Sequence, residues 1–123
     1  MSYLLDTHVL LWWLADDPRL SERHRTVLAR SDSTVYVSAI SVAEIAIKSS
    51  IGKLSMPDDV QSAISDGGFD ELAFTSKHAT ALASLPWIHR DPFDRMLVSQ
   101  SIVEGLVFLT ADDRCKQYDV STL

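Results

Sequence analysis

The sequence predicts an α/β fold: a parallel sheet with helices on both faces. Three observations carry this. Short apolar runs at Tyr3–Leu5, Val35–Val37 and Leu106–Leu109 alternate with longer stretches of helical periodicity. Leu106-Val107-Phe108-Leu109 is apolar at every position, as expected of a strand covered on both faces. Breakers at Pro18, Gly52, Gly67-Gly68, Pro86 and Gly105 divide the chain into short elements without a linker or repeat. At 123 residues and 46% hydrophobic content, the chain fits one domain spanning residues 1–123 with one core.

Taken in order, Tyr3-Leu4-Leu5 ends at Asp6 and reads as a buried strand. Thr7 to Leu14 follows as a helix with a broad apolar face. Beyond Pro18, Ser21 can cap a polar helix running to about Arg30. Val35-Tyr36-Val37 is β-branched and aromatic, hence strand. Ser41 is expected to begin a helix that Gly52 can end, and Pro57 with the two following aspartates to open one stopping at Gly67-Gly68. Phe69–Phe74 reads as a short strand, and Thr75 or Ser76 as the cap of a helix to about Ser84. Asp91-Pro92 starts a helix closed by Gly105, with Asp at the cap, Pro in the first turn and Gly past the end. The Leu106–Leu109 strand and a polar Thr110–Asp113 turn come next, and Val120 is placed in a last short strand.

Composition narrows the function classes. One cysteine, Cys115, excludes an internal disulfide, a multi-cysteine zinc site and an iron–sulfur cluster, and it suits a reducing compartment. The apolar run Val9–Leu14 is too short to span a bilayer and lacks the basic flank of a signal peptide, so the expected location is the cytoplasm, away from membrane. A net charge of −6 argues against gripping nucleic acid by bulk charge. It is compatible with an acidic pocket filled by divalent cations, which invert the local field.

In open parallel sheets the reactive crevice lies beyond the carboxyl ends of the strands. Four acids are placed to matter there. Asp6 follows the first strand, Glu44 is expected in the first turn of the Ser41 helix, Asp94 lies in the first turn of the Asp91 helix, and Asp112 follows the Leu106–Leu109 strand. Asp94 joins the others only if its helix starts at the same end of the sheet. Each acid also has a purely structural reading. Ser41-Val42-Ala43-Glu44 has the form of a capping box. Asp91 and Asp94 suit a helix N-terminus, and Asp112 or Asp113 suits a turn. Asp6 is hardest to dismiss, because it interrupts an apolar stretch where an unpartnered carboxylate is costly. Jointly the four have the oxygen chemistry of a hard divalent ion such as Mg2+. No Gly-x-Ser-x-Gly nucleophile elbow surrounds Ser38 or Ser41, and no glycine-rich dinucleotide turn follows Leu5. A phosphatase with a second acid two residues after the first is disfavoured, since His8 stands there.

Four segments in order resemble the PIN-domain family, most closely the VapC-type toxins of bacterial type II toxin–antitoxin pairs. They are Leu4-Leu5-Asp6-Thr7-His8-Val9-Leu10-Leu11-Trp12, Ser38-Ala39-Ile40-Ser41-Val42-Ala43-Glu44-Ile45, His89-Arg90-Asp91-Pro92-Phe93-Asp94-Arg95-Met96-Leu97-Val98 and Leu109-Thr110-Ala111-Asp112. The resemblance implies a three-layer α/β/α fold around a parallel sheet of four or five strands. It implies an endoribonuclease dependent on Mg2+, with Mn2+ able to substitute, in which Asp6, Glu44, Asp94 and Asp112 are catalytic metal ligands and Asp113 is the rival for the fourth place. A metal-activated water would attack the RNA phosphodiester, leaving a 5′-phosphate and a 3′-hydroxyl. Thr7 and Thr110 would support the acids. Arg90, Arg95 and Arg114 are near enough in sequence to hold phosphate oxygens, with a solvated or salt-bridged surface arginine as the alternative for each. His8 and His89 could assist proton transfer or serve only packing and loop hydrogen bonds. Trp12, Trp13 and Trp87 could stack on bases, with the core or a dimer interface as the alternative for the first two. A cognate antitoxin and a homodimer are the implied partners. The alternatives are a non-catalytic binding module of the same fold and a housekeeping RNA-processing nuclease.

Overall fold

A computed structural model describes residues 1–54 and 59–123. Four strands, β1 (Ser2–Leu5), β2 (Thr34–Ser38), β3 (Asp70–Leu72) and β4 (Val107–Leu109), form one parallel sheet in the order β3-β2-β1-β4. The register places Leu4 beside Tyr36 and Phe108, and Leu5 beside Leu109. The helices are α1 (Thr7–Leu14), α2 (Glu22–Ala29), α3 (Ala39–Ser50), α4 (Val60–Asp66), α5 (Ser76–Ala81) and α6 (Pro92–Glu104). One-turn 3-10 segments at Leu82–Ser84 and Cys115–Gln117 complete the described residues.

Alternation along β1 divides the core in two. Tyr3 and Leu5 face one side, with Val35, Val37 and Leu109 of the neighbouring strands, and meet Val9 and Leu10 of α1, Leu28 of α2, Ile45 of α3 and Ile64 of α4. Leu4 and Phe108 face the other side and meet Leu97 and Val98 of α6, with Leu85, Cys115 and Tyr118. The central strand is therefore covered on both faces, and a side chain so buried stabilises the fold by about 1.5–3 kcal/mol. This is the expected three-layer arrangement.

Most helix ends follow their sequence signals. Ser21 accepts from the His24 amide at 3.1 Å, and Gly105 closes α6 in the left-handed conformation at φ 65°. Asp91 accepts from the Phe93 and Asp94 amides at 2.9 and 3.2 Å. Four boundaries differ. The helix expected from Ser41 begins at Ala39, because Ser38 caps it by accepting from the Ile40 amide at 2.9 Å, so strand passes directly into helix. The strand expected over Phe69–Phe74 narrows to Asp70–Leu72, with Phe69 buried in the core instead. Leu106 precedes β4 rather than belonging to it. Val120 lies outside any strand; the pairing falls at Thr122, which bridges Phe108 in parallel, so the fifth strand is reduced to one bridge. The expected helix opening at Pro57 and Asp58 lies outside the described residues; α4 itself is capped by Asp59, which accepts from the Ser62 amide at 3.0 Å.

Candidate active site

The strand order reverses between β1 and β4: the first crossovers run outward through β2 and β3, and the last returns to the far side of β1. A crevice opens at such a point, at the carboxyl ends of the strands. Leu5 and Leu109 are paired there, so the next residues, Asp6 and Thr110, leave the sheet side by side. The Asp6 amide continues the ladder to the Leu109 carbonyl at 2.9 Å, and the Thr110 hydroxyl donates to Asp6 Oδ2 at 2.7 Å. The same hydroxyl accepts from the Asp112 amide at 3.0 Å. Thr110 thus fixes both acids that flank it. Thr7, also buried, shares a 2.9 Å hydrogen bond with Ser41 at the start of α3.

Asp6 is 2% exposed, Glu44 2% and Asp94 5%. Asp6 Oδ1 and Glu44 Oε1 are buried without a hydrogen-bond partner among the described residues. The second Glu44 oxygen is held by Lys48 Nζ, one helical turn on. Asp94 Oδ2 lies 3.3 Å from His89 Nε2, and His89 Nδ1 lies 2.7 Å from the Tyr118 hydroxyl. Asp112 is more open and is bound by Arg114, whose Nη2 lies 2.9 Å from Oδ2 and whose amide donates to Oδ1 at 2.9 Å.

The electrostatics show that the acids share one field. Burial pushes the Asp94 carboxyl up to about 8, reinforced by the negative charges of Asp6, Asp91, Glu44 and Asp112. Burial also raises Asp6, against the Thr110 hydrogen bond that favours its ionised form. Asp112 moves the other way, held low by the hydrogen bonds from Arg114. Burial lowers His89, and the Arg114 charge adds to the shift. Three crowded, desolvated carboxyl groups, with two oxygens unpartnered among the described residues, form a site that favours a proton or a cation.

The structure brings Asp6, Glu44, Asp94 and Asp112 to one end of the sheet, because α6 starts there. It corrects the local reading of Glu44. With Ser38 as the cap, Glu44 sits in the second turn of α3, and Ser41 is the third helical residue rather than the first partner of a capping box. Asp91, by contrast, is a cap. Asp113 is exposed and paired to Lys116 at 3.5 Å, away from the Thr110 network. Arg90 is exposed. Arg95 is not available to substrate. It is buried, donates to the Pro86 and Leu85 carbonyls at 2.7 and 3.2 Å, and stacks 3.8 Å from the centre of the Trp87 ring. His8 is exposed beside Trp12, and Trp12 and Trp13 pack half-buried against the core, whereas Trp87 is 77% exposed.

Three residues at the site escaped sequence reasoning. Lys48 had a readable signal, the Glu-to-Lys spacing of four on a helix. Tyr118 and Cys115 had none, since they reach His89 across 29 and 26 residues of chain.

Comparisons with known proteins agree with this fold. The PIN-domain family model matches residues 3–121. Ribonuclease VapC22 of Mycobacterium tuberculosis is 30% identical over 124 residues, covering 95% of this chain and 92% of that protein. Among solved structures, VapBC2 from Rickettsia felis bound to a promoter DNA fragment superposes with a TM-score of 0.74 at 16% identity, covering 100% of this chain and 98% of that one. FitAcB from Neisseria gonorrhoeae gives 0.62 at 21% identity, covering 98% and 96%. With a family match over nearly its whole length and the strand order and acid placement described above, this chain belongs to the PIN-domain family.

Proposed function

We propose that the chain is a metal-dependent endoribonuclease, the toxin of a toxin–antitoxin pair. One observation carries the metal: Asp6 Oδ1 and Glu44 Oε1 are buried carboxylate oxygens with no partner among the described residues, in a site that already crowds Asp94. Such oxygens suit a hard cation. Asp6 and Asp94 would be the principal ligands of Mg2+ or Mn2+, with Glu44 and Asp112 completing the shell, partly through water. A divalent ion there supplies an acidified water and positive charge for the phosphodiester oxygens.

The protein groups divide the remaining work. Thr110 orients Asp6 and holds the Asp112 turn. The Thr7–Ser41 hydrogen bond ties α1 to α3, fixing Asp6 relative to Glu44. Arg114, paired to Asp112, is an exposed cation at the edge of the site, and Arg90 is exposed in the loop before α6; both would take phosphate oxygens as the RNA enters. The similarity to ribonuclease VapC22 supports RNA as the substrate, and the likeness to VapC-type toxins supports a small antitoxin whose basic side chain approaches Asp6 and Asp94.

The test is cleavage of single-stranded RNA by the purified chain in Mg2+ or Mn2+, in excess chelator, and by Asp6→Asn. Cleavage is expected only with metal and only in wild type. Undiminished cleavage in chelator overturns the metal reading. Expression alone should slow growth, and expression with the antitoxin should restore it. A chain harmless in the cell yet active on RNA in vitro returns the role to RNA processing.

A further inference from the structure

On the α6 side of the acid cluster, a histidine and a cysteine converge on two of its carboxylates. One ligand atom each from His89, Asp94, Asp112 and Cys115 lies within 4.8 Å of the others. His89 Nε2 is 3.3 Å from Asp94 Oδ2 and 4.0 Å from Cys115 Sγ. Zinc bonds of about 2.0–2.3 Å arranged tetrahedrally put neighbouring donors about 3.3–3.8 Å apart. The set therefore needs only a small contraction.

We infer that His89, Cys115, Asp94 and Asp112 form a binding site for a borderline-soft transition metal of the Zn2+ class, overlapping the proposed Mg2+ site at two carboxylates. Hard ions have no use for a thiolate and an imidazole, whereas Zn2+ and Co2+ favour them. The surroundings already supply the outer shell such a site requires. The Tyr118 hydroxyl, 2.7 Å from His89 Nδ1, fixes the ring, and a ligated Nε2 requires that hydroxyl to turn from donating to Nδ1 to accepting from it. Tyr118 is itself held by Arg95 at 3.2 Å, so the ring is braced from behind. Cys115 is wholly buried, and burial with the nearby negative charges keeps its thiol protonated when no metal is present. A dication supplies the compensating charge. The thiol proton then passes to solvent buffer as the sulfur–metal bond forms. Asp112, the least buried of the four, is the point of entry. Arg114, which pairs with both its oxygens, is 60% exposed along its side chain and can turn outward.

Sharing Asp94 and Asp112 has a consequence. An ion held by His89 and Cys115 denies those carboxylates to Mg2+, so Zn2+ inhibits hydrolysis. This consequence rests on the nuclease reading above; the binding itself does not.

Co2+ is the probe for binding. Wild-type protein titrated with Co2+ should develop the near-ultraviolet thiolate-to-metal charge-transfer band and the strong visible bands of tetrahedral coordination. Cys115→Ser should abolish the charge-transfer band, and Asp6→Asn should keep it, since Asp6 lies outside this donor set. In the second arm, Zn2+ is titrated into Mg2+-supported RNA cleavage. With each protein's inhibition read relative to its own cleavage in Mg2+ alone, Cys115→Ser should need at least tenfold more Zn2+ for half inhibition. A wild-type Co2+ complex without a thiolate band overturns the site, whether or not the variant folds. Equal Zn2+ sensitivity of wild type and Cys115→Ser overturns it as well. Absent Mg2+-supported cleavage counts against the nuclease reading only, because the spectroscopic arm stands without it.

Discussion

Asp6 and Asp112 are joined to the same hydroxyl, that of Thr110, yet they live in opposite electrostatic worlds. Asp6 is buried where strand passes into helix, keeps one oxygen without a partner among the described residues, and has its carboxyl pushed up by desolvation. Asp112 lies on the turn beyond β4, is open to solvent on one side, and is held ionised by Arg114. The difference teaches that one carboxylate cluster can combine two functions. Its buried members Asp6 and Asp94, raised by desolvation, favour a proton or a cation, and its rim member keeps a movable counterion at the entrance.

The largest test of this contrast is Asp94→Asn, which removes the buried acid most strongly affected. RNA cleavage in Mg2+ should fall by on the order of a hundredfold or more, the loss typical of removing a group that stabilises charge in the reacting state. Stability should move in the opposite direction when chelator is present. With its carboxyl raised to about 8, the folded state keeps a proton that the unfolded chain releases near the ordinary value of 3.8. The stability this group contributes is complete below the unfolded value and is lost as pH rises towards about 8. Metal-free wild type should therefore lose melting temperature between pH 5 and 8 more steeply than Asp94→Asn, roughly within that window. Added Mn2+ should reverse the ranking, because ions bind only the assembled site. Parallel melting curves for the two proteins across this pH range would remove the buried half of the comparison.

Thr110→Val cuts the link between the two acids while nearly preserving volume. Asp6 Oδ2 loses its donor and the Asp112 amide its acceptor, at a cost of about 1–3 kcal/mol for buried groups left unsatisfied. Denaturant unfolding should report that loss, with cleavage reduced by about tenfold. If activity is untouched while stability falls, Thr110 braces the fold and does not orient Asp6.

Arg114→Gln should have the smallest effect. Its pair with Asp112 is exposed and screened by solvent, so the melting temperature should change little. KM for RNA should rise and its salt dependence should weaken, with kcat nearly unchanged. A large stability loss would show that the rim pair is structural and the division between rim and interior is misplaced.

Most elements were legible because their signals are local. The Asp91-Pro92 start and Gly105 stop of α6 follow from capping and backbone preferences that act within a few residues. The alternation of strand and helix required a parallel sheet, and with it the gathering of Asp6 and Asp112 at one sheet end. Short-range ambiguity caused the errors. Ser38 and Ser41 are both competent caps, and only the entry of Ser38 into a buried hydrogen bond with Gln100, 62 residues away, selects the first. That choice moved Glu44 a full position class, from cap partner to buried acid. Arg95 has the sequence context of a phosphate ligand, but the Leu85–Pro86 loop folds over it and takes its donors.

By itself the sequence determined the fold class, since hydrophobic period is written in neighbouring residues, and it marked four candidate acids, Asp6 and Asp112 by strand-end position and the whole set by resemblance to the PIN-domain family. The tertiary structure alone decided which of those acids are desolvated, that Lys48 and Arg114 guard two of them, and that His89, Tyr118 and Cys115 meet beside Asp94. Burial and charge depend on what distant chain segments bring within a few ångströms, and no local pattern encodes that.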